Sequence, residues 1–527
     1  MLLLALLLAA TPAERAGLHH LTAAEISGHL RFLSDDLLEG RKPATRGSDL
    51  AIRYLASQLE AMGLTPGGEK GTFFQPVPMV ELQAKVPPEV RIGPAVLRTG
   101  AGVAADLILD PDAPVDVARV QNAELVFVGY GIVAPEYGWN DYKGTDVRGK
   151  IAVILNFNPP FAGEGVRLWY GRWDYKYLTA AAHGAVGALV VHTTESAGYP
   201  WQVLANSADG NRLDLPPGDE PRMQFQGWIT GDAAKRVAPR FTELTAAAQR
   251  KDFRPQPLGV SMSLEMPVTR RQFTSANVIG ILPGTDARLR GEAVVYTAHH
   301  DHLGSAPPVP PAKDGIFNGA LDNASGCAAI LAIARAATFA PPRRSMIFAF
   351  VTGEESGLLG SKHLARHPPI PPAKMAADIN VDSVNKWGRT TSLTMLGLGK
   401  SSLDEVVRAA AREQGRTVHG DPHPDRGAFY RSDQFSLARV GVPVVAVKGG
   451  PDYAGRPQGW GDQQTLAFEQ HDYHQPSDEY HGDWDLTGVV QDAQLQLLVG
   501  LRIANAAQLP RWNPGDEFER ARKTAAK

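Results

Sequence analysis

The stretch from Gly291 to Gly326 constrains the fold of this chain more than any other segment. It begins with the apolar run GEAVVYTA, which ends in HHDHLG, and after a proline-rich loop it continues as NGALDNASG. The run predicts a buried strand with His299 and Asp301 at its carboxyl end, and the second part predicts a loop that carries Asp322 to the start of an apolar helix. In an open α/β sheet, ligands and metal ions bind just beyond the carboxyl ends of the strands. Either piece alone would be explained equally well by a helix-capping aspartate and a surface histidine.

Similar pieces follow further along the chain. Glu354 and Glu355 follow the strand-like RSMIFAFVTG, and Asp382 follows AADINV. His474 lies in the loop HDYHQPSDEY. Imidazole and carboxylate groups are zinc ligands, and two imidazoles with three carboxylates, one of them shared, would hold two Zn²⁺ ions. Of two adjacent glutamates, one can bind metal while the other transfers a proton. The alternative, unrelated acids in solvated loops, requires many coincidences in one chain, so we favour a metal site.

The order of these motifs resembles a known family. H-x-D, D-N-x-S-G, G-E-E-x-G-L-L-G-S, V-D and Y-H-x-P-x-D occur in the same order as in the co-catalytic di-zinc exopeptidases that include bacterial leucyl aminopeptidases and glutamate carboxypeptidase. The resemblance implies an α/β fold in which helices flank a mixed, mostly parallel sheet, and it implies two zinc ions per chain. The implied roles are His299 and Asp382 on one zinc, Glu355 and His474 on the other, Asp322 as the bridge, Glu354 as general base, and Asp301 as the group that orients His299. It also implies a cis peptide bond from Asp322 to Asn323.

Two further residues are candidates for substrate binding. RSDQFS resembles the family's S-D-H element near the substrate pocket, with Gln434 where a histidine is usual, so Asp433 is one candidate and capping of the next helix is its alternative role. Tyr473 precedes His474, and the resemblance implies that it donates a hydrogen bond to the tetrahedral intermediate; a tyrosine that only packs is the alternative. The remaining histidines near the motifs, which we expect to lie behind the ligands or to face solvent, are His300, His302, His471 and His481.

The segment before the central stretch differs in character. VGYGI, WNDYKGTDVRGKIAVI and AAHGAVGAL resemble an inserted protease-associated (PA) domain, which implies a β-rich α+β fold. Its acids and histidines do not repeat metal-ligand spacing, so we expect a structural role or a substrate lid rather than an independent ligand site. Residues 21–63 predict two amphipathic helices joined by GRKPATRGS, which resembles the N-terminal part of the same peptidases. The expected domains are 17–104 (N-terminal part of the peptidase), 105–266 (PA-like insert), 267–510 (catalytic part) and 511–527 (C-terminal tail).

The N-terminus predicts export. MLLLALLLAATPAERA is an apolar run too short to span a bilayer and is followed by small residues, which predicts a signal peptide over residues 1–16 with cleavage near Ala13. A basic segment before the run is missing, and an apolar tail is the alternative. We therefore expect a secreted or periplasmic protein, without stable membrane insertion because no later segment is long and apolar enough. The net charge of −3 and the lack of a basic cluster do not favour nucleic-acid binding, and the single cysteine, Cys327, excludes an internal disulfide.

The roles of these residues predict zinc-dependent hydrolysis of peptide bonds, and the family resemblance implies an exopeptidase. We favour an aminopeptidase, in which Glu354 accepts a proton from a metal-activated water. A carboxypeptidase or dipeptidase similar to glutamate carboxypeptidase would need a basic pocket, for which Arg426 and Arg431 are available. An acyltransferase similar to glutaminyl cyclase is a further alternative, but the insert would not be expected there. A receptor-like relative without activity would lack ligands, and this chain has the full set.

Overall fold

The computed structural model describes residues 10–100, 102, 104–159, 161, 163, 165–206, 210–218, 220–308 and 314–525. The chain divides into two compact units. The first unit comprises Met1–Val77, Thr274–Pro422 and Phe429–Lys527, and the second comprises Pro78–Phe273 and His423–Ala428. Residues 1–9 of the predicted signal peptide lie outside the described residues. Among the described helices, none combines the length and the apolar character needed to cross a bilayer.

The first unit is built on a mixed sheet whose central strands are parallel. In spatial order its strands are Thr65–Pro66, the C-terminal part of Gln256–Leu282, Ser345–Val351, Ala293–His299, Met375–Asn380, Val444–Gly449, Ser392–Leu396 and Thr417–His419. Ala293–His299 and Ser345–Val351 are buried at every residue. Parallel strands covered on both faces have such continuous apolar sequences. The expected α/β class with a mostly parallel sheet is therefore confirmed.

Helices flank this sheet. They are Pro12–His19, Ala23–Leu33, Arg46–Ala61, Ser325–Thr338, Leu359–Arg366, Leu403–Glu413, Gln434–Arg439, Trp460–His471, Thr487–Asn505 and Glu519–Ala525. Ser325–Thr338 is apolar and buried on almost every side, in the same core as residues of Ala23–Leu33 and Thr487–Asn505. A helix that is apolar all round belongs in a core. Its position fixes the loop before Ser325, which carries Asp322, at the carboxyl edge of the sheet.

The second unit has its own sheet and apolar core. Its strands are Glu89–Ile92, Ala95–Arg98, Leu107–Pro111, Val117–Phe127, Val133–Ala134, Trp139–Asn140, Ile151–Leu155, Gly187–His192, Asn211–Asp214, Phe225–Thr230 and parts of Phe74–Ala84 and Gln256–Leu282. Its helices are Trp173–Ala182, Thr194–Ala197, Trp201–Asn206, Gly231–Val237 and Phe241–Ala247. Strands outnumber helices among the described elements, as expected of a β-rich α+β domain.

Two buried titratable side chains of the second unit serve local structure. Lys176 is fully buried and donates to the backbone carbonyls of Tyr130, Phe157 and Tyr170. Asp141 is buried and accepts hydrogen bonds from the Ile132 amide and the Trp139 indole. Each of the two side chains thus has hydrogen-bond partners within the unit, as buried polar groups must. The groupings of potential metal ligands found among the described residues all lie in the first unit.

Candidate metal centre

The register of the parallel strands brings the predicted site residues together. His299 pairs with Val351 on one neighbouring strand, and Thr297 pairs with Asn380 on the other. Glu354 and Asp382 follow shortly after these partners in the sequence. Because the carboxyl ends of the strands meet at one edge of the sheet, the side chains that follow them converge there.

Asp322 lies between two imidazoles. Its Oδ1 is 3.1 Å from Nε2 of His299, and its Oδ2 is 3.3 Å from Nε2 of His474. His299 Nε2 is also 3.6 Å from Oδ1 of Asp382, and His474 Nε2 is 3.1 Å from Oε2 of Glu355. The structure thus brings the five predicted ligands into two overlapping groups that share the Asp322 carboxylate.

The donor atoms of this centre fit a divalent metal. His299, Asp322 and Asp382 each place one donor atom within 4.8 Å of the others, and the same holds for His299 with Glu354 and Glu355. Nε2 of His299 and Nε2 of His474 are buried yet make no hydrogen bond to the described residues. Buried polar atoms normally have a partner, and nitrogen and oxygen donors in this arrangement are those that zinc takes in catalytic sites.

Electrostatics at the centre couple protons to metal. Burial alone would lower the pKa of His474, but Asp322 and Glu355 raise it to about 10. Burial likewise opposes the effect of Asp322 and Asp382 on His299, whose pKa is nonetheless raised well above its usual value. The carboxylates that face the two imidazoles thus favour the charged form of each ring. Metal binding to such ligands releases protons and becomes stronger as pH rises.

Asp301 contacts its neighbours differently from the prediction. Nδ1 of His299 lies 3.1 Å from the backbone carbonyl oxygen of Asp301, whereas Oδ1 of the carboxylate is 3.8 Å away. That Oδ1 accepts a hydrogen bond from the Glu354 amide at 3.2 Å. Burial raises the pKa of Asp301 to about 6. The backbone of Asp301 thus fixes the His299 ring, and its side chain fixes the start of the Glu354–Glu355 pair.

His302 has a larger part in the centre than the sequence suggested. Its Nδ1 is 2.6 Å from Oε1 of Glu355, and its ring lies edge-on to that of His474 at 5.6 Å between centroids. Its donor atom also groups with those of Asp322 and Glu355 within 4.8 Å. The histidine that directly follows Asp301 in HHDHLG was the only signal for this position. His300 is also buried, with Nε2 on the Ala276 carbonyl at 3.0 Å, whereas His471 and His481 are exposed.

Asp478 is a further residue to which sequence reasoning gave no role. Its carboxylate accepts hydrogen bonds from the amides of Leu321 and Asp322 at 3.0–3.1 Å. Burial raises its pKa to about 6. Asp478 is the last residue of the Y-H-x-P-x-D motif, which was the available signal. One motif therefore supplies both the His474 imidazole and the group that holds the backbone of Asp322.

The loop around Asp322 is fixed from its other side by Asn323. The peptide bond between these residues is cis, as the resemblance implies. The Asn323 side-chain oxygen accepts from the amides of Gly326 and Ser383, and its nitrogen donates to the Val381 carbonyl. These hydrogen bonds join the Asp322 loop to the segment that carries Asp382.

The two substrate-binding candidates differ in accessibility. Asp433 is fully buried and makes no hydrogen bond that caps the helix Gln434–Arg439, and burial raises its pKa to about 7. Tyr473 is 39% exposed and stacks on His474 at 3.9 Å between ring centroids. Burial of part of the ring and the carboxylates of Asp322 and Glu355 raise its pKa well above the usual value. Its hydroxyl therefore stays protonated and able to donate.

Comparison with known protein families matches two segments of the chain. The family model of Peptidase family M28 matches residues 277–498, which include the whole centre. Over these residues the chain is similar to peptidase family M28. The PA domain model matches residues 117–219, within the second unit.

Individual relatives are similar over part of the chain. Aminopeptidase YwaD of Bacillus subtilis (strain 168) is 30% identical over 358 residues, which are 66% of this chain and 62% of YwaD. Leupeptin-inactivating enzyme 1 of Streptomyces exfoliatus is 28% identical over 270 residues, 48% of this chain and 54% of that enzyme. The match thus spans about three fifths of these relatives' length or less. The solved aminopeptidase from Aneurinibacillus sp. strain AM-1 has a TM-score of 0.53 at 19% identity and covers 94% of this chain and 97% of its own, which shows a shared fold.

Proposed function

We propose that this protein is a zinc-dependent exopeptidase, and specifically an aminopeptidase that removes N-terminal residues from peptides. The observation that supports this most directly is the Asp322 carboxylate, of which one oxygen lies 3.1 Å from Nε2 of His299 and the other 3.3 Å from Nε2 of His474. A carboxylate in that position can bridge two metal ions. YwaD and the Aneurinibacillus protein are both named aminopeptidases, which favours the same activity here.

In this proposal the centre binds two zinc ions. His299 and Asp382 would hold one, Glu355 and His474 the other, and Asp322 both. Bound zinc would lower the pKa of a coordinated water molecule and would polarise the carbonyl group of the substrate. Asp301 and His302 would fix the orientation of His299 and Glu355 through the contacts described above.

Glu354 is the proposed general base. Its amide is held by Asp301, while its neighbour Glu355 is engaged by His302 and His474. Burial raises the pKa of Glu354 well above its usual range, which makes this carboxylate a stronger proton acceptor. It would take a proton from the attacking water and deliver it to the leaving amine. The Tyr473 hydroxyl would donate to the oxygen on which negative charge develops, and Asp433 would border the substrate pocket.

The second unit and the N-terminus complete the proposal. We assign the second unit to a PA-like insert with a structural or substrate-gating role, and residues 1–16 to a signal peptide that directs the enzyme to the periplasm or the medium. The buried Lys176 and Asp141 of this unit are engaged in local hydrogen bonds, which favours a structural role.

Two matched peptides test the activity. With zinc present, a peptide that has a free N-terminus and an amidated C-terminus should be shortened from its N-terminus, and the same peptide with an acetylated N-terminus and a free C-terminus should remain intact. Mass spectrometry of the products reads out both. The reverse pattern would assign a carboxypeptidase, and no cleavage of either peptide by zinc-loaded protein would contradict an exopeptidase. The Glu354→Gln variant is the control for contaminating peptidases.

A further inference from the structure

Arg41, in the GRKPATRGS segment, is among the largest fully buried side chains of the protein. It lies in a turn where Glu39, Gly40 and Arg41 all have positive φ angles, of 48°, 68° and 52°. Glycine adopts this conformation readily, but glutamate and arginine do so at a cost, which the surrounding contacts must offset. The turn is therefore held in place by what Arg41 and Gly40 contact.

The Arg41 guanidinium donates to backbone carbonyl groups of the metal centre. Its Nε donates to the carbonyl of His300 at 2.9 Å, its Nη1 to that of Asn318 at 2.6 Å, and its Nη2 to that of Gly319 at 3.0 Å. Nη1 also donates to the Leu33 carbonyl at the end of the helix Ala23–Leu33. The rigid fork of a guanidinium fixes the relative position of the groups that it binds.

Three of the four carbonyls that Arg41 binds belong to the two loops on which the centre depends. His300 lies between His299 and Asp301, and Gly319 directly precedes the Ala320–Ala324 turn that carries Asp322. Gly40 allows the turn to pack closely against the backbone that follows His302, because a Cβ atom at this position would lie 2.3 Å from the Gly304 carbonyl oxygen. The turn thus clamps the His299 loop to the Asp322 loop.

The charge of Arg41 also faces the centre. No ion pair joins Arg41 to a carboxylate among the residues that the structure describes. Burial lowers its pKa, and nearby acidic groups that include Asp301, Asp478 and Asp322 oppose this shift. A buried guanidinium held only by carbonyls is expensive to maintain. This free-energy cost is offset in part if the fixed positive charge of Arg41 also reduces the repulsion among the carboxylates of the metal site.

We propose that Arg41 is a positioning residue for the metal centre, which holds the His299 and Asp322 loops in the geometry that binds zinc. The inference rests on the proposed function for the identity of the metal. It assigns a task to the GRKPATRGS segment, which is distant in sequence from every proposed ligand.

Arg344 provides a matched control in the same unit. It is 2% exposed and donates through Nε to Glu292 and through Nη1 to the carbonyl of Ala506. It precedes the strand Ser345–Val351, whose other end leads to Glu354. Arg344 is thus a buried, carbonyl-bound arginine at the opposite edge of the sheet from the centre.

The test compares Arg41→Lys with Arg344→Lys in the full-length protein. Lysine keeps the charge but cannot reproduce the fork, so both variants should lose thermal stability without metal. Zinc affinity, measured by competition with a chromogenic chelator, should fall about 10–100-fold in Arg41→Lys and stay at the wild-type value in Arg344→Lys. Circular dichroism establishes that each protein is folded at the temperature of the titration.

Several outcomes would overturn the inference. They are wild-type zinc affinity in Arg41→Lys, an equal loss of affinity in the two variants, and an Arg41→Lys protein that is unfolded even with excess zinc, since Arg41 would then serve the fold as a whole. A wild-type protein that binds no zinc would instead contradict the proposed function.

Discussion

At the scale of single residues, the adjacent glutamates differ in what surrounds them. Both oxygens of Glu355 face imidazoles, Oε1 that of His302 at 2.6 Å and Oε2 that of His474 at 3.1 Å. Glu355→Gln should therefore lower both zinc content and activity. Glu354→Gln should keep the zinc but lower kcat by about 10²–10⁴-fold, because general-base catalysis contributes that much. Zinc content and kcat measured side by side decide it. Near wild-type kcat in fully loaded Glu354→Gln would contradict the mechanism.

His302 gives a second prediction at this scale. Asparagine can present an N–H where Nδ1 of histidine lies, whereas phenylalanine only fills the space. His302→Phe should weaken zinc binding about 10–100-fold, as loss of a group that orients a ligand does, and His302→Asn should weaken it less. Chelator competition measures both affinities, and the exposed His481, changed to Phe, is the control. If both His302 variants bound zinc as tightly as wild type, the hydrogen bond to Glu355 would be irrelevant to the metal.

The sequence was a better guide to which side chains form the metal centre than to the hydrogen bonds that hold those side chains in place. Ligand types and strand-end positions are visible in the motifs, because a metal site needs particular side chains at particular points in the chain. Hydrogen bonds to the backbone leave no such trace. The Asp301 carbonyl on His299, the Asp478 carboxylate on the Asp322 amide and the Arg41 fork depend on loop conformations that only the folded chain defines.

At the scale of elements, the turn Ala320–Ala324 depends on a residue far along the chain. Asp478 accepts from the amides of Leu321 and Asp322. Asp478→Asn replaces one acceptor oxygen with a donor that faces an N–H group. Leaving a buried donor unsatisfied costs about 1–3 kcal/mol, so the free energy of unfolding without metal should fall by that amount, and zinc should bind more weakly. Urea unfolding and zinc titration test this, with the exposed Asp483→Asn as control. Unchanged values for both would refute the role.

The helix Ala23–Leu33 carries a pH-sensitive group. His29 is buried, its Nδ1 is 2.8 Å from the Tyr54 hydroxyl, and burial together with Arg335 lowers its pKa to about 4. In the unfolded chain His29 takes up a proton near pH 6.5, whereas in the folded chain it does so only near pH 4. The contribution of neutral His29 to the free energy of unfolding is therefore complete above pH 6.5 and is lost as the pH falls towards 4. The full shift corresponds to at most ~3 kcal/mol. His29→Gln should flatten the loss of stability over this window, measured by urea unfolding at pH 7 and pH 4.5. The same acid loss in variant and wild type would exclude His29 as its source.

Elements with a strong periodic pattern were predicted from sequence, and others were not. The central strands and the helix Ser325–Thr338 have largely apolar sequences, because they are buried on nearly every side. The helix Pro12–His19 begins inside the predicted signal peptide, residues 1–16, and continues beyond it, with a Thr11 capping box at its start. The strand Gln256–Leu282 takes part in both units, and its local pattern does not reveal where one unit ends.

At the scale of the whole molecule, the sequence allowed the class of fold to be predicted because βα alternation and motif order persist along the chain. The unit to which residues 78–104 belong was harder to predict from the sequence, which suggested the N-terminal part of the peptidase. They lie in the second unit, and they pair through Met262↔Ile92 with the strand that leads back to the first unit. Such pairing joins segments that are far apart in sequence, and hydrophobic pattern alone cannot specify a partner strand.

The division into units leads to a deletion that tests the independence of the metal centre. All five proposed ligands lie in the first unit. The chain leaves this unit after Val77 and returns at Thr274. The segments before and after these points run antiparallel to each other. The Ile279 amide donates to the Phe73 carbonyl at 2.7 Å, and Asn277 Nδ2 donates to Gln75 Oε1 at 2.9 Å. A short Asn-Gly turn can close such a pair.

Replacing residues 78–273 by Asn-Gly should therefore give a folded protein with the zinc stoichiometry of the full chain. It should still hydrolyse small amino-acid amides, since the proposed base and ligands remain, while its rates on longer peptides should change if the second unit gates substrate. Metal analysis and kinetics on both substrate types provide the measurement, and the same deletion with Glu354→Gln is the control. A folded deletion protein that binds no zinc would mean that the centre requires the second unit. The first unit contains its own apolar core and all five proposed ligands. A deletion protein that does not fold would therefore mean that these are insufficient and that the first unit is not an independent domain.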